Sequence, residues 1–592
     1  MQIKLRGRRS ARIGAAIGHL ALSGAAITQI PAVIAQDRIP LSQSACTSAG
    51  LAASISPREI GEPVSAVAFD SLAWVEASDR APAHCMINGR LEPMDRSSTA
   101  RPIRFGVALP GDWNRRAVQM GGGGMNGSIP GLAGGPFGGE SDLARGFATY
   151  GSDSGHGNDD SAWALNDEAI RNLGYMQMKK THDVAMILIE RAYGELPAYN
   201  YYVGGSQGGR EGLTVAQRYP EDYDGVLSSV PIVGFSTLML APTLTRIQER
   251  SLESWVPPAK GNEILAEFMR RCDDLDGRVD GVINNYFDCR AIFNVRDGLG
   301  EDDPWAAHRC PEGVDSDPND DTAGACLSSG QIETLEFLFS NYEPAANLAN
   351  GRTNFGMWAP ATAVAGGGFG RAGGGRGGPV AAPGALFVGQ RYLGQEGADA
   401  NAPVFATLGS IGVNGFVMQD LDANPLDLDM ERTRARREQI SQWLDSTDPD
   451  LTAFSERGGK LIVAVGTDDT IAPSGEQLNY YQSVIDTMGR DVVDAFARFY
   501  VLPQTGHGLG GSTAAIDGNG ESVPAEPIPS STDRFALLQN WVENGIAPGM
   551  SEVVTGAAGS RPMCSYPDYP RYVGGDASEA SSYRCAGPSL AE

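Results

Sequence analysis

The sequence predicts an α/β fold whose parallel sheet is interrupted by a large inserted domain. Three observations carry this prediction. Strand-like and helix-like segments alternate from about Arg101 to Pro231, the alternation returns near the C-terminus, and the order between these two regions breaks down. Alternating strands and helices in one chain favour a parallel sheet covered by helices.

The predicted strands and helices are inferred from the pattern of apolar, polar and glycine residues. Strand-like runs in the first region are RPIRFGVALP, WNRRAVQM, GFATYGSDS, YNYYVGG and DGVLSSVPIVG. MQMKKTHDVAMILIERAYG has apolar residues at helical spacing and ends at a glycine, and REGLTVAQRYP is a second predicted helix. Near the C-terminus GGKLIVAVGTDD and AFARFYVLPQTGHG predict strands, and TDRFALLQNWVENG predicts a helix.

The chain divides into four predicted segments. They are a signal peptide over residues 1–35, an α/β domain in two parts over 36–233 and 447–592, and a lid domain over 234–446. The inserted stretch of roughly 210 residues far exceeds an ordinary loop. Its low-complexity piece VAGGGFGRAGGGRGGPVAAPG is expected to be a flexible excursion rather than a binding element.

The N-terminus is typical of a bacterial export signal. A basic start precedes an apolar stretch over residues 13–30, and Val33, Ile34 and Ala35 offer a cleavage site before Gln36. A membrane anchor is the weaker interpretation, because polar residues dilute the stretch and Pro31 closes it. The paired Arg8 and Arg9 suggest twin-arginine export, although the hydrophobic residues expected after them are missing. We therefore expect a secreted or periplasmic protein.

The net charge of the chain limits the classes of partner that it can be expected to bind. The formal net charge is −26, and cleavage removes five positive charges and no acids, which leaves −31. Such a charge argues against nucleic acid and anionic membranes as partners. No later segment predicts a membrane span, so we expect no membrane association after cleavage. The sequence does not specify the oligomeric state.

Eight cysteines remain in the mature chain. An even count in an exported protein suggests disulfides, and none of the cysteines has the C-x-x-C spacing of zinc or redox sites. Eight cysteines allow about 105 pairings, of which we prefer the pairing of sequence neighbours. Those pairs are Cys46 with Cys85, Cys272 with Cys289, Cys310 with Cys326, and Cys564 with Cys585.

One serine follows a predicted strand and precedes a predicted helix. In YNYYVGGSQGGREGL, Ser206 lies among Gly204, Gly205, Gly208 and Gly209. A strand, a sharp glycine-flanked turn and a helix are the context of a nucleophile elbow. An ordinary glycine-rich turn is the alternative, so the interpretation depends on a base and an acid elsewhere.

The base must come from five histidines of the mature chain. His156, in a loop after a strand, remains possible. In an α/β-hydrolase fold the chain order is serine, acid, histidine, which only His507 satisfies. The acid should end the preceding strand, where Asp468 and Asp469 both qualify, and a helix N-cap or turn residue is the alternative role for one of them.

An oxyanion hole needs two backbone N–H donors. One normally belongs to the residue after the nucleophile, here Gln207, and the other to a glycine-rich loop after an early strand, for which QMGGGGMNG is suited. A phosphate-binding loop is less consistent with these glycines, because no Lys-Ser/Thr follows and no G-x-G-x-x-G opens a helix.

Several motifs in order resemble the tannase and feruloyl esterase family, which also includes mono(2-hydroxyethyl) terephthalate hydrolase. They are GGGGMNGSIPG, ARGFATYGSDSGH, GGSQGGREGL, CDDLDGRVDGVI, GTDDTIAPSGEQLNYY, TGHG and LLQNWVENGIAP. The resemblance implies Ser206 as nucleophile, His507 as base and Asp469 as acid. It further implies Gly123 and Gln207 as oxyanion donors. The implied fold is an α/β-hydrolase with a large inserted lid.

The sequence departs from this family at one place. The family has a disulfide between a cysteine before the serine and one after the histidine, and here Gly205 and Gly508 stand at those positions. The remaining four pairs match the family's other disulfides. Since packing alone must then hold the catalytic loops together, we expect greater mobility of the active site but retained activity.

The segment CDDLDGRVDGVI indicates a calcium site. Asp273, Asp276 and Asp280 alternate with glycines, so a tight turn can gather hard oxygen ligands. The spacing is not that of an EF-hand, and a plain Asp-Gly turn is the alternative. The resemblance adds the carbonyls of Arg278 and Val282 to the three aspartates as ligands of a structural Ca²⁺ in the lid. No organic cofactor is expected.

Together these features predict an exported serine esterase, and the resemblance implies that its substrates are small aromatic esters of the feruloyl, galloyl or terephthalate monoester type. An arginine from the lid would bind a substrate carboxylate, with Arg371, Arg376 and Arg391 as candidates. Two alternatives stay open from the sequence: an extracellular acyltransferase with the same triad, and a non-catalytic calcium-stabilised binding protein.

Overall fold

The structure, a computed structural model, describes residues 38–589 except 80, 135–139, 159, 298–302, 323, 361–408 and 410. Several predicted features lie outside the described residues: the expected signal peptide, the glycine- and arginine-rich piece of the lid segment, and Arg371, Arg376 and Arg391.

An eleven-stranded mixed sheet forms the centre of the protein. In chain order its strands are β1 (Ala66–Val75), β2 (His84–Glu92), β3 (Ile103–Pro110), β4 (Arg116–Met120), β5 (Ala148–Ser152), β6 (Tyr199–Gly205), β7 (Gly225–Ser229), β8 (Lys460–Gly466), β9 (Ala497–Leu502), β10 (Ser551–Gly556) and β11 (Gly559–Ser565). Across the sheet their order is β1-β2-β3-β5-β4-β6-β7-β8-β9-β11-β10.

The sheet is parallel only in its middle. β5, β4, β6, β7, β8 and β9 run parallel, whereas β1 to β3 and β10 to β11 pair antiparallel. The expectation of a parallel sheet is therefore wrong for RPIRFGVALP, which forms β3. A parallel return needs a crossover of about a dozen or more residues, and the link over residues 111–115 is too short for one. The chain therefore reverses its direction there.

Helices cover both faces of the sheet and build the lid. The described α-helices are Gln43–Cys46, Asp167–Arg171, Gln177–Tyr193, Gln207–Arg218, Phe235–Gln248, Gly261–Cys272, Tyr286–Phe293, Ser329–Phe339, Arg434–Leu444, Thr452–Glu456, Ser474–Met488, Arg490–Phe496 and Arg534–Asn544. Helix Gln177–Tyr193 has the features that its apolar spacing and terminal glycine predict. It buries Val184 and Leu188 against the sheet, and it ends at Gly194, whose φ of 81° is left-handed.

Four short antiparallel pairs lie outside the large sheet. They join Ile39–Pro40 with Asp112–Trp113, Asn341–Tyr342 with Phe355–Gly356, Gly511–Ser512 with Pro527–Ile528, and Tyr569–Tyr572 with Tyr583–Ala586.

The lid segment, residues 234–446, leaves the sheet after β7 and returns before β8. Its described residues contribute no strand to the large sheet. Its hydrophobic core continues into the flanking parts of the chain, since Trp163, Leu173 and Ala472 belong to the same buried cluster as the lid helices. The domain boundaries stay predictions.

The structure pairs all eight cysteines as sequence neighbours. The disulfides are Cys46–Cys85, Cys272–Cys289, Cys310–Cys326 and Cys564–Cys585, the pairing that the sequence analysis prefers. Within the described residues, none of the helices combines the length and the apolar character needed to cross a membrane.

Candidate active site

Ser206 lies on a sharp turn between β6 and helix Gln207–Arg218, which we call the elbow helix. Its φ of 60° and ψ of −121° are strained for a residue with a side chain. The turn is tight: a Cβ at Gly204 would lie 2.4 Å from the Gly208 backbone, so neither glycine can be replaced without a shift. The Ser206 N–H donates to the Ser229 carbonyl at the end of β7 at 2.9 Å. This geometry is that of a nucleophile elbow.

Asp469 and His507 meet after two neighbouring parallel strands. Asp469 follows β8 and His507 follows β9, and Nδ1 of His507 lies 2.9 Å and 3.0 Å from the two carboxylate oxygens of Asp469. The carboxylate is fully buried and also accepts hydrogen bonds from the N–H groups of Ile471 and Ala472 at 2.8 Å. The residue pattern leaves two aspartates open, and the structure brings to the histidine Asp469, the one that the family resemblance implies.

The environment favours a charged imidazole. Burial by itself would lower the pKa of His507, but the charge of Asp469 and its hydrogen bond outweigh burial and raise the pKa above its ordinary value. Nε2, the ring nitrogen opposite the aspartate, is buried and makes no hydrogen bond with the described residues. No hydrogen bond therefore joins it to Ser206 Oγ here. Catalytic hydrogen bonds are often long without substrate.

His156, the other histidine considered as a base, is used differently. Nε2 lies 2.7 Å from the Met125 carbonyl and Nδ1 lies 3.1 Å from the Gly157 carbonyl. Its ring stacks on Trp163 with centroids 3.8 Å apart. Because both nitrogens face backbone carbonyls, neither is directed at a serine.

The glycine-rich segment after β4, residues 121–126, forms a loop beside the elbow helix, and we call it the oxyanion loop. The N–H of Gly121 donates to the Val203 carbonyl and the N–H of Gly122 donates to Oε2 of Glu211, at 2.9 Å and 3.0 Å. Among the described residues the N–H of Gly123 has no acceptor. Gln207 opens the elbow helix, so its N–H has no intrahelical acceptor either. These are the two predicted donors.

Two charged residues of GGREGL have contacts that sequence reasoning missed. The buried guanidinium of Arg210 donates to the carbonyls of Leu173 and Leu444 and to the side chain of Gln207, at 2.7–3.0 Å. It therefore joins the elbow helix to the end of the lid segment. Glu211 contacts the oxyanion loop. The available signal was the adjacent opposite charges of Arg210 and Glu211 directly after two glycines at the start of the elbow helix.

Gly205 and Gly508, which stand where the resemblance implies cysteines, flank Ser206 and His507 in the sequence. A side chain at Gly508 would meet no atom within 4 Å of its Cβ. Gly508 borders a cavity of about 540 Å³, which polar residues such as Asp142, Ser531 and Arg534 also line. The position after His507 thus has room for a larger side chain.

The predicted calcium residues share one turn after helix Gly261–Cys272. Asp273 accepts hydrogen bonds from the N–H groups of Asp280, Gly281 and Val282 at 2.9–3.2 Å. Burial first, and the charges of Asp280 and Asp273 in addition, raise the pKa of Asp276 to about 7.

One observation supports the binding of a hard cation by the predicted calcium residues. The buried Oδ1 of Asp280 has no hydrogen-bond partner among the described residues. The other oxygen of Asp280 pairs with Arg278 and Arg561 at 3.4 Å and 3.5 Å. The described carboxylates do not converge within 4.8 Å of one another.

Comparisons with known proteins agree on one family. A family model described as tannase and feruloyl esterase matches residues 85–586. A protein from Agrobacterium fabrum named as an uncharacterized esterase is 32% identical over 92% of this chain and 94% of its own length. Mono(2-hydroxyethyl) terephthalate hydrolase from Piscinibacter sakaiensis is 27% identical over 89% of each chain. The crystal structure of feruloyl esterase B from Aspergillus oryzae superimposes with a TM-score of 0.68 at 22% identity, covering 92% of this chain and 100% of that chain.

Proposed function

The chain belongs to the tannase and feruloyl esterase family of α/β-hydrolases and is a carboxylic ester hydrolase. From this premise we propose that it hydrolyses esters of aromatic acids through a Ser206–His507–Asp469 triad and an acyl-enzyme. The observation that carries the proposal is the buried, hydrogen-bonded pair of Asp469 and His507. The pair follows the carboxyl ends of parallel strands of the sheet, as does Ser206 with its strained backbone. Family membership disfavours the non-catalytic binding protein.

The proposed first step is attack on the ester carbonyl carbon. Ser206 Oγ forms the new C–O bond while its proton passes to Nε2 of His507. Asp469 holds Nδ1–H and stabilises the imidazolium that forms. The carbonyl oxygen, now negatively charged, accepts hydrogen bonds from the N–H groups of Gly123 and Gln207.

Collapse of the tetrahedral intermediate breaks the bond to the alcohol oxygen. His507 returns its proton to that oxygen, which leaves as the alcohol, and the acid stays esterified to Ser206. A water molecule then attacks the acyl-enzyme carbonyl and gives one proton to His507. The second collapse releases the acid, and the proton returns to Ser206.

The substrate class follows from relatives. Feruloyl esterase B and mono(2-hydroxyethyl) terephthalate hydrolase are named for esters of aromatic acids. We extend that class to this chain as feruloyl, galloyl or terephthalate monoesters. Two nearby aromatic side chains, Trp163 and Phe416, pack edge to face with centroids 5.5 Å apart beside the oxyanion loop. Both side chains are buried in the core that Met125 of this loop shares with the lid helices, so this core joins the loop to the lid segment.

A structural Ca²⁺ in the lid is also part of the proposal. Asp273, Asp276 and Asp280, with the carbonyls of Arg278 and Val282, would hold it. When bound, the ion would neutralise the crowded carboxylates and stiffen the turn between Cys272 and Cys289. The buried, unpartnered oxygen of Asp280 supports this assignment.

We further propose that the protein acts outside the cytoplasm. Four disulfides suit an oxidising compartment, and the N-terminal sequence is typical of an export signal.

Initial hydrolysis rates on a matched substrate panel test the function. The panel contains methyl ferulate, methyl gallate, mono(2-hydroxyethyl) terephthalate and an aliphatic nitrophenyl ester, each with wild-type protein and Ser206→Ala. We expect preference for one aromatic acid and a rate loss of about 10⁴-fold or more in the variant. Turnover that survives Ser206→Ala would refute the mechanism. Product analysis with competing alcohols separates hydrolysis from acyl transfer.

A further inference from the structure

We propose that Glu211 is a positioning residue that sets the oxyanion loop against the elbow helix. The inference rests on the proposed function, because the oxyanion hole matters only if an ester carbonyl is attacked there. Glu211 itself does not touch the expected position of the substrate. Its effect would pass through the N–H of Gly123.

The carboxylate of Glu211 is almost completely buried and accepts four hydrogen bonds, two at each oxygen. Oε1 accepts from Asn126 Nδ2 at 2.6 Å and Gln177 Nε2 at 3.1 Å. Oε2 accepts from the Gly122 N–H at 3.0 Å and Tyr202 Oη at 2.7 Å. All four partners are donors, so the site is built for a group that only accepts.

Two of these four bonds enclose the expected oxyanion donor. Gly122 lies before Gly123 and Asn126 lies three residues after it, and both bind the same carboxylate. The Asn126 N–H also donates to the Gly123 carbonyl at 2.8 Å, which closes the turn. A Cβ at Gly122 would lie 2.4 Å from the Asn126 side chain, so the amide fills the space under the loop. Gly123 is therefore held from both sides while its N–H stays unpaired.

The elbow helix connects the two halves of the oxyanion hole. Glu211 lies on the helix that Gln207 opens, one turn further along. A second bond, from the Gly208 N–H to the Gly122 carbonyl at 2.9 Å, runs between the same two segments. The separation of the Gly123 and Gln207 donors is thus set by contacts between the elbow helix and the loop, with Glu211 at their centre.

The protonation states suit this role. Burial first, and then the charge of Glu211, raise the pKa of Tyr202 well above its ordinary value, so its hydroxyl stays a donor. A glutamine at position 211 would replace one of these oxygens by an NH₂ group, which cannot accept the two hydrogen bonds now made there, one of them from the loop. Glu211→Gln therefore changes the hydrogen bonding with little change in volume.

The test compares Glu211→Gln with Glu168→Gln on the preferred ester. Glu168 is a matched control, because its carboxylate is also buried and accepts a hydrogen bond at each oxygen, from the N–H groups of Met94 and Asp95, neither of which belongs to the oxyanion loop. We expect Glu211→Gln to lower kcat about 100-fold, since a displacement near 1 Å can cost that much. KM should stay within about threefold, and inhibition by phenylboronic acid, which places an oxygen in the hole, should weaken by a similar factor. Glu168→Gln should keep kcat within about threefold of wild type, even if its melting temperature falls as far as that of Glu211→Gln.

A second variant keeps the proposal testable if Glu211→Gln does not fold. Asn126→Gly removes one of the two enclosing bonds, and glycine tolerates the φ of 63° at that position. We expect about a tenfold loss of kcat at unchanged KM. Where Glu211→Gln does fold, the losses in the double variant should be less than multiplicative, because both changes act on the same hydrogen bonds around Glu211.

A folded Glu211→Gln with wild-type kcat, or a loss seen in KM alone, would overturn the proposal. So would an unchanged kcat in Asn126→Gly. Failure of the proposed function is recognised separately, because turnover would then survive Ser206→Ala.

Discussion

Both carboxylate oxygens of Asp469 lie within 3.0 Å of Nδ1 of His507, although the two residues stand 38 positions apart. The contact arises because β8 and β9 are neighbouring parallel strands whose carboxyl ends share one edge of the sheet. Asp468, one residue earlier, donates its own N–H to the Thr505 carbonyl and so helps join the same two loops.

Substitution at the two aspartates should therefore differ in its effect. Asp469→Asn should lower kcat about 10³- to 10⁴-fold, because an amide no longer stabilises the imidazolium or its tautomer. Asp468→Asn is the matched control and should lose less than about tenfold. Steady-state kinetics of both variants on one ester provide the measurement, and equal losses would contradict the assignment of the acid.

Activity should fall at acidic pH with the titration of His507. A general base must be neutral, and the pKa of His507 is raised above its ordinary value by Asp469. The acid limb of kcat/KM should thus lie above about pH 6.5. Asp469→Asn should move the limb to lower pH, since the charge that raises the pKa is gone. A pH–rate profile on an ester without ionisable groups measures this, and an unmoved limb would exclude His507 as its source.

Stability of the lid should decline at alkaline pH. His308 lies between Glu263 and Glu267, at 2.8 Å and 2.9 Å, and hydrogen bonds to both raise its pKa to about 9. Arg270 pairs with the same two glutamates. Since the folded-state pKa exceeds the unfolded value near 6.5, the stabilisation is full below pH 6.5 and is lost as pH rises through about 9.

Calorimetry of wild type and His308→Gln between pH 6 and 10 tests this linkage. At pH 6 the variant should melt about 1–3 °C lower than wild type, and the difference should shrink towards pH 10. A difference that is constant over this range would show that the imidazolium does not contribute.

Calcium should stabilise the protein without supporting the chemistry. Added Ca²⁺ at about 100 times its Kd should stabilise the folded state by about 2.7 kcal/mol, and chelation should reverse the shift in melting temperature. Asp280→Asn should abolish the response. Asp274→Asn, which alters an exposed aspartate of the same turn, should retain it. A response unchanged by Asp280→Asn would refute the assigned site.

Restoring the family's disulfide should stabilise the catalytic loops. In the double variant Gly205→Cys and Gly508→Cys, a bond between the two positions should raise the free energy of unfolding by about 2–4 kcal/mol. Thiol titration and melting curves with and without reductant measure the bond and its effect. The single variants are the controls. Two free thiols in the oxidised double variant would show that the positions lie too far apart.

Local patterns in the sequence were sufficient for most elements that carry the site. YNYYVGG coincides with β6, and the helix after Ser206 begins at Gln207. Periodicity and glycine placement reveal such elements because they reflect backbone preferences of nearby residues. The antiparallel strands β1 and β2 and the hairpin of β10 and β11 were not predicted, since pairing partners are not encoded in a local pattern.

By itself, the sequence determined the chain order of the candidate serine, acid and histidine and the position of the glycine-rich loop. It favoured the sequential cysteine pairing, which the structure then confirmed. The residue pattern left Asp468 and Asp469 open and the family resemblance implied Asp469, whereas only the tertiary structure showed which side chain contacts the oxyanion loop. Glu211 was visible in GGREGL, yet its partners Gly122 and Asn126 lie 89 and 85 residues away. Hydrogen bonds between residues so distant along the chain depend on how the strands are ordered in the sheet, and a single sequence does not specify that order residue by residue.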